Sequence, residues 1–205
     1  MDKRGDRPLT FRPIRTYSAE WLNRHRATHA KHAVFGTHRH PYLLDTLRRL
    51  AAAVATEGGE APSLLDYGCG KGVFMREMTG TKLFRYIRGY DPAVDAFKAR
   101  PAQLYDIVVC LDVLDQLEDE FVEPAVSDVT QFSGRIALFD VITRQTPALA
   151  HLNPRTAQSW REIIDRYMRV DEMVIRTATP DEIAQGACPE RVIITAAPRG
   201  AGQPA

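Results

Sequence analysis

Short apolar runs and helical stripes alternate along this chain. The runs at residues 64–65, 107–111 and 136–142 are nearly continuous, which is typical of strands buried on both faces, and a further strand is predicted at residues 85–90. Between them, apolar residues recur at the i, i+3, i+4 and i+7 positions of a helix. Strands that alternate with helices predict an α/β fold, a three-layer sandwich with a mostly parallel sheet.

Two helices are predicted before the first strand. Ser18 is a suitable N-cap for a helix that runs to about residue 33, and Gly36 interrupts it. Pro41 suits the first turn of a second helix, and Gly58 and Gly59 end that helix. We therefore divide the chain into a flexible basic arm (1–16), an N-terminal helical lid (17–60), an α/β domain (61–197) and a flexible tail (198–205).

The α/β domain departs from a regular alternation in two places. Only fourteen residues separate Asp91 from Asp106, too few for a helix, a strand and a second helix. We expect the third strand of such a sheet, which lies at its edge, to be reduced or missing. Residues 173–177 and 191–195 predict a closing strand pair, with one strand antiparallel to the rest.

Charge is distributed unevenly. The net charge of the 205 residues is +1, yet residues 1–50 hold eleven Lys and Arg against four Asp and Glu. This basic quarter either faces an anionic partner or is a solvated surface, and the second interpretation is the plainer one.

Cysteine content and the absence of long apolar runs indicate a cytoplasmic protein. Cys69, Cys110 and Cys188 are odd in number and far apart, which favours neither a disulfide framework nor a metal site. The chain begins without an apolar signal-peptide segment, and no apolar run approaches the roughly 18 residues of a membrane span. We expect no membrane contact.

The stretch from Ser63 to Gly72 combines a strand end, a tight turn and a helix start. Gly68, Gly70 and Gly72 alternate in the turn, where a Cβ obstructs the backbone or a closely approaching ligand. Amides of the helix that follows then face an anionic or polar ligand group, so the turn is predicted to bind a cofactor. Its spacing differs from the dinucleotide fingerprint G-x-G-x-x-G, whose third glycine falls on Val73.

A carboxylate at the end of the next strand supports this prediction independently. Asp91 follows Gly72 by nineteen residues. An acid about 20 residues beyond such a turn is placed to accept hydrogen bonds from ribose hydroxyls.

Taken together, residues 63–195 resemble the class I S-adenosylmethionine-dependent methyltransferases. The match includes motif I at Asp66–Gly72, the ribose-binding acid at Asp91 and the motif Tyr105–Gln116. In the short spacing between Asp91 and the next predicted strand, the chain is also similar to a group of bacterial and phage-type methyltransferases. The resemblance implies a Rossmann-like fold, S-adenosyl-L-methionine as the cofactor, and a cofactor site at Asp66, Gly68, Cys69, Gly70, Gly72, Asp91, Pro92 and Asp112. For Asp66 two roles stay open, binding the cofactor's amine or tying the amides of the turn together.

The acceptor side is predicted from single residues. His151, in the loop after the strand at residues 136–142, is the catalytic candidate. Its alternative role is to cap the helix that starts near Pro154. Many relatives carry a histidine where this chain has Gln116. If that histidine serves as a base in some of them, Gln116 cannot do so, and a base comes from elsewhere or is unnecessary; Gln116 is kept as a candidate for substrate contact. The remaining substrate candidates each have a plainer structural alternative: Trp160 (core), Asp115 (solvated helix terminus) and Trp21 (helix face).

Five further histidines lie within sixteen residues: His25, His29, His32, His38 and His40. The first three share one helix face, for which three interpretations stay open. The histidines bind a metal, they recognise an acceptor together with Tyr17 and Trp21, or they form a polar surface. No acid or cysteine joins them at ligand spacing, so no metal is predicted.

The leading functional hypothesis is an enzyme that transfers a methyl group from S-adenosylmethionine to an oxygen or nitrogen of a small molecule. One alternative is methylation of RNA or another polyanion through the basic N-terminal residues. Another is a non-catalytic member that binds cofactor or a partner protein.

Overall fold

The computed structural model describes residues 11–37, 40–144, 153–184 and 187–199. Its centre is a six-stranded sheet with the strand order β2-β1-β3-β4-β6-β5. Neighbours among the first four strands are parallel, and β6 runs antiparallel to both β4 and β5. The strands are β1 (Ser63–Tyr67), β2 (Tyr86–Tyr90), β3 (Tyr105–Leu111), β4 (Ser133–Ile142), β5 (Met168–Thr177) and β6 (Glu190–Pro198).

Helices cover both faces of this sheet, and the predicted three-layer α/β sandwich is confirmed. Short 3-10 turns at Pro41–Leu43 and Leu114–Gln116 precede α2 and α4. None of the described helices has both the length and the apolar character that a bilayer crossing requires. The helices are α1 (Ala19–Lys31), α2 (Leu44–Gly58), α3 (Val73–Thr81), α4 (Asp119–Phe132), α5 (Ala157–Asp165) and α6 (Pro180–Ala184).

Alternation along the strands creates two separate cores. Successive residues of a strand point to opposite faces, so Leu64 and Leu65 in β1 belong to different clusters. Leu64 packs with residues of α2 and α3, whereas Leu65 packs with residues of α1, α4 and α5. Both side chains are fully buried, which explains why the sequence shows continuous apolar runs rather than an alternating pattern.

The sheet ends at β2, as predicted from the short spacing after Asp91. Residues 91–104 contain turns and irregular backbone but no helix or strand. Arg88 on β2 donates to the carbonyl of Ala99 over 3.0 Å, which holds this connection against the edge of the sheet.

The N-terminal segment differs from the prediction of a flexible arm up to residue 16. The ring of Phe11 stacks on Phe132 at 5.5 Å, and the Arg12 amide donates to Gln131 over 2.8 Å. Arg100 donates both to the Arg12 carbonyl and to the buried carboxylate of Asp128. Residues 11–16 are therefore packed against α4, while residues 1–10 and the tail residues 200–205 lie outside the described ranges.

The predicted lid of residues 17–60 divides into two parts with different positions. Leu47, Leu50 and Val54 of α2 are buried in the core cluster on one face of the sheet, so α2 is a structural layer of the sandwich. Helix α1 instead lies over the carboxyl ends of the parallel strands. The periodicity of the two helices does not distinguish these positions.

Trp160 lies in the core rather than beside a ligand pocket. Its side chain is fully buried, and Nε1 donates to the Ile142 carbonyl over 3.3 Å. The apolar stripe of α5 places it against the sheet together with Ile163 and Ile164. The expectation that Trp160 lines the acceptor site is wrong, and its structural alternative is what the fold shows.

We expect Trp160→Ala to lower the free energy of unfolding by about 3 to 5 kcal/mol, because it leaves a large cavity in a close-packed core. Trp160→Phe keeps most of the volume and should cost less. Chemical denaturation of both variants measures the difference. Equal stability of the wild type and Trp160→Ala would contradict the core assignment.

Candidate functional site

An open pocket lies beneath α1, where the parallel strands end. It encloses about 950 Å³, counting the solvent at its mouth. The residues that follow β1, β2 and β3 form its floor, and residues of α1 and of the segment before α2 form its wall. The carboxyl edge of a parallel sheet is where ligands bind in open α/β folds, so this is the candidate functional site.

The turn after β1 requires glycine for steric reasons. Gly68 has φ +84°, and a Cβ there would lie 2.2 Å from Cγ2 of Val113. Gly70 has φ +51°, and its Cβ would lie 2.6 Å from the carbonyl oxygen of Gly36. Both positions combine a left-handed backbone with contact distances that no side chain can meet.

The amides of this turn donate to acceptors within the protein. Gly68 and Cys69 donate to the Tyr90 carbonyl over 2.7 and 3.2 Å. Gly70 donates to Oδ2 of Asp91 over 3.0 Å, and Lys71 donates to the Gly36 carbonyl over 2.9 Å. The carboxylate that ties the amides of the turn together is therefore Asp91. This was one of the two roles that the sequence left open for Asp66.

Asp66 faces the pocket with a carboxyl group that the protein leaves partly unsatisfied. The residue is 3% exposed, and its Oδ2 atom has no hydrogen-bond partner in the described structure. Burial raises the pKa of Asp66 to about 7, with His40 opposing the shift and Asp91 adding to it. An unfolded aspartate has a pKa of about 3.9, so the contribution of Asp66 to stability falls as the pH rises from about 4 to 7.

Asp91 is held between two main-chain amides. Besides the bond from Gly70, its Oδ1 accepts from the Ala93 amide over 2.8 Å. Burial raises the pKa of Asp91, and the two amide hydrogen bonds oppose that shift. An ionised carboxylate offers about four lone-pair positions, so Asp91 retains capacity to accept bonds from a ligand. Pro92 and Ala93 line the pocket beside it.

Asp112 lies at the end of β3 in a buried ionic network. It has a left-handed backbone with φ +55° and forms an ion pair with Nη2 of Arg191. Nε of Arg191 donates to Oδ1 of Asp140 over 2.8 Å. Arg191 thereby connects β6 to the ends of β3 and β4 at the pocket floor.

The imidazole of His40 completes this network. His40 is 7% exposed and lines the pocket. Its Nδ1 atom lies 3.0 Å from Oη of Tyr42 and 3.3 Å from Oδ2 of Asp140, and Nε2 lies 3.7 Å from Oδ2 of Asp112. The sequence grouped His40 with four other histidines, and the only signal that separated it was its position directly before Pro41.

Helix α1 contributes a stack of aromatic rings to the wall. The ring centroids of Tyr17 and Trp21 are 5.6 Å apart, and those of Trp21 and His25 are 3.6 Å apart. Nε1 of Trp21 donates to the Gln116 carbonyl over 2.8 Å, which joins α1 to the turn after β3. Trp21 and Gln116, both predicted to contact the substrate, line the pocket.

Two histidines of α1 also line the pocket. Burial lowers the pKa of His25 and of His29, so both rings are neutral at neutral pH. Nδ1 of His25 lies 3.0 Å from the Trp21 carbonyl. Among the described residues, no group of three or more His, Cys, Asp or Glu side chains is arranged to hold a metal ion.

The C-terminal end of α1 is joined to the glycine turn. Nζ of Lys71 donates to the carbonyls of His32 and Ala33 over 2.6 and 2.9 Å. These carbonyls lie directly after the C-terminus of α1, so the positive charge of the lysine complements the negative end of the helix dipole. The turn and α1 therefore support each other.

Asp115 and His151 are the remaining predicted acceptor residues. Asp115 is fully buried and does not line the pocket, so it is neither a substrate contact there nor a solvated helix-terminal carboxylate. Its carbonyl instead accepts from the Asn153 amide over 3.1 Å. His151 lies outside the described residues. Cys69 lines the pocket, and burial raises the pKa of its thiol.

A family model described as a methyltransferase domain matches residues 35–161 of the chain. This range contains the glycine turn, Asp91, Asp112 and His40. No curated protein matches the chain in sequence.

Solved methyltransferase structures share the fold at low identity. The N-methyltransferase NodS from Bradyrhizobium japonicum WM9, in complex with S-adenosyl-L-homocysteine, has a TM-score of 0.59 and 14% identity, covering 88% of this chain and 99% of that one. Magnesium protoporphyrin IX methyltransferase (ChlM) from Synechocystis PCC 6803, with bound SAM, has a TM-score of 0.58 and 14% identity, covering 89% of this chain and 99% of that one. The 1,6-didemethyltoxoflavin-N1-methyltransferase of Burkholderia thailandensis has a TM-score of 0.60 and 11% identity, covering 94% of each chain. At these identities the likeness concerns the fold.

We expect Gly68→Ala to lower the free energy of unfolding by about 2 kcal/mol or more, since it adds a clash with Val113 to the roughly 1–2 kcal/mol cost of a left-handed backbone. Gly80→Ala is the matched control, because a Cβ at Gly80 meets no atom within 4 Å. Gly80 lies in the last turn of α3, so that change should stabilise the protein by no more than the roughly 0.5–1 kcal/mol of a helix interior. Equal effects of the two substitutions in urea denaturation would contradict the steric requirement.

Proposed function

The chain belongs to the methyltransferase-domain family, and we propose that it transfers a methyl group from S-adenosylmethionine to a nitrogen or oxygen atom of a small-molecule acceptor. The observation that carries this proposal is the buried carboxyl group of Asp66. It opens into the pocket with one oxygen that has no hydrogen-bond partner in the described structure. A buried carboxylate of this kind requires a cationic or hydrogen-bonding ligand group to satisfy it.

The residues of the pocket floor fit the cofactor. Asp66 would bind its α-ammonium group by a charge-assisted hydrogen bond. Asp91 would accept from the ribose hydroxyls with the lone pairs that Gly70 and Ala93 leave, and Pro92 would line the adenine site. Asp112 would lie near the methionine end. When bound, S-adenosylmethionine supplies a methyl group that its positively charged sulfur has already activated.

The protein's own task is then to position the acceptor and exclude water. Helix α1 covers the pocket, and its aromatic stack provides an apolar wall next to the strand ends. Hydrogen bonds from Ser18 to Glu118 and from Trp21 to Gln116 attach this helix to the α/β domain at two points. A pocket that α1 covers in this way suits a small acceptor.

The charges of the pocket favour a small molecule over a polyanion. Asp66, Asp91 and Asp112 line it, and among its described lining residues there is neither lysine nor arginine. Binding of RNA depends on lysine and arginine contacts to phosphates. The structurally similar proteins from Synechocystis and Burkholderia thailandensis carry names that identify small acceptors, a porphyrin and didemethyltoxoflavin.

Transfer from tritiated S-adenosylmethionine to a fractionated cell lysate tests the proposal. We expect label to appear in a small-molecule fraction at a rate that changes little with salt. Label in an RNA fraction, with binding that weakens steeply as salt rises, would favour the polyanion alternative. Binding of the cofactor without any transfer would favour the non-catalytic alternative.

The affinity for S-adenosylhomocysteine should fall as the pH is lowered from 8 to 6. Protonation of Asp66, whose pKa lies at about 7, removes the negative charge that would bind the ammonium group. Asp66→Asn should bind this ligand about 10-fold or more weakly at pH 8, in line with the ~1.5–3 kcal/mol of a hydrogen bond to a charged group, and should lose the pH dependence. Calorimetric titration measures both effects. Asp95→Asn, which changes an exposed acid, is the control and should retain the wild-type profile.

We expect Asp91→Ala to weaken binding of S-adenosylhomocysteine by about 1 to 3 kcal/mol, because it removes the proposed ribose acceptor together with the bond that positions Gly70. Asp95→Ala, four residues further on, should bind as tightly as the wild type. Calorimetry on both folded variants provides the comparison. An unchanged affinity in Asp91→Ala would refute the assignment of Asp91.

A further inference from the structure

The network around His40 contains more polar groups than cofactor binding requires. His40, Tyr42, Asp140 and Arg191 are largely or fully buried at the pocket floor, beside Asp112. Burying so many polar and charged groups costs free energy unless each is paired and serves the site. Only His40 and Asp112 of this group line the pocket. The question is therefore what the other three residues do to the imidazole.

The hydrogen bonds assign the proton of the imidazole. Tyr42 donates its hydroxyl proton to Oδ2 of Asp140 over 2.6 Å, so toward His40 the hydroxyl oxygen acts as an acceptor. The carboxylate of Asp140 is an acceptor as well. Nδ1 of His40 faces both oxygens and must carry the hydrogen. This arrangement leaves the lone pair on Nε2, as in a histidine oriented by a buried carboxylate.

The ring of His40 lies in a buried network of paired charges. Burial alone would raise the pKa of Asp140, but the hydrogen bond with His40 and the charge of Arg191 hold it below its usual value. Asp112, Asp140 and Arg191 together carry one net negative charge beside the ring. The charged and titratable groups that face His40 are Tyr42 from its own 3-10 turn, Asp66 from β1, Asp112 after β3, Asp140 from β4 and Arg191 from β6.

We propose that His40 is the catalytic base of the methyl transfer, an inference that rests on the proposed function. The lone pair of the acceptor's nitrogen or oxygen forms a bond to the methyl carbon. The bond from that carbon to sulfur breaks, and its electron pair stays on sulfur as a neutral thioether. The proton of the acceptor passes to Nε2 of His40. Asp140 and Tyr42 are positioning residues, because they act through the ring.

Other histidines of the pocket lack this support. His25 and His29 form no ion pair with a carboxylate among the described residues, and burial lowers the pKa of both, a shift that the Trp21 carbonyl and Asp91 oppose at His25. The residue where many relatives carry a histidine is Gln116, whose side chain donates to the Asp112 carbonyl over 2.8 Å and cannot accept a proton at neutral pH. His40 therefore supplies from the N-terminal segment what Gln116 does not.

The test compares His40→Ala with His32→Ala, an exposed histidine that does not line the pocket. Two measurements are made on folded protein: calorimetric binding of S-adenosylhomocysteine, and transfer from tritiated S-adenosylmethionine to the lysate fraction that the wild type labels. We expect His40→Ala to bind the ligand within about twofold of wild type but to transfer methyl groups about 100-fold or more slowly, the range of general-base catalysis. His32→Ala should match the wild type in both.

Two readouts separate a base from a structural residue. Added imidazole should restore part of the transfer in His40→Ala. At saturating S-adenosylmethionine, where the weaker cofactor binding caused by Asp66 no longer matters, we expect turnover to fall at acidic pH in the wild type but not in His40→Ala. Tyr42→Phe keeps the ring of residue 42 and removes only the hydroxyl, so it should reduce turnover less than His40→Ala and respond little to imidazole.

The inference is overturned if His40→Ala retains wild-type turnover, or if it loses ligand binding in parallel with turnover. It is also overturned if His151→Ala, rather than His40→Ala, stops transfer while ligand binding is intact. Failure of the wild type itself to label any fraction would instead overturn the proposed function, and this inference with it.

Discussion

The buried ionic network of Arg191 is the interaction on which the pocket floor depends. Arg191 bridges Asp112 and Asp140, so it joins the ends of β3, β4 and β6 at the edge where the pocket opens. Ions in such a place are stable only when all of them are paired, and removing one partner from a buried pair typically costs about 3 to 5 kcal/mol. The network therefore fixes both the geometry of the sheet edge and the electrostatic environment of His40.

Among the described residues, the lysine and arginine side chains of the N-terminal quarter do not line the pocket. Arg48 and Arg49, for example, form exposed ion pairs with Asp45 and Glu172. Exposed pairs of this kind contribute little to stability, but they satisfy charges that the sequence alone leaves unassigned. The described lining of the pocket contains carboxylates, aromatic rings and apolar side chains but neither lysine nor arginine, so the excess of basic residues in the N-terminal quarter does not extend into it.

Local patterns predicted the layers of the fold and the floor of the pocket, whereas contacts between distant segments were not predictable. The glycine turn, Asp91 and Asp112 lie at strand ends that periodicity and spacing locate. His40 was missed because its partners Asp140 and Arg191 belong to β4 and β6, and sequence spacing carries no information on which ends meet. Trp160 and Asp115 were misplaced, since an apolar stripe or a position near a helix start does not determine how deeply a side chain is buried.

The glycines of the turn also differ in how a defect at each could be corrected genetically. The obstacle to a side chain at Gly68 is the side chain of Val113, which a second mutation can shorten. The obstacle at Gly70 is the main chain of Gly36, and every amino acid has that main chain. A second substitution at Val113 can therefore relieve the clash that a side chain at residue 68 causes. No substitution at residue 36 can do the same for residue 70, so a selection for revertants should recover only true reversion at residue 70.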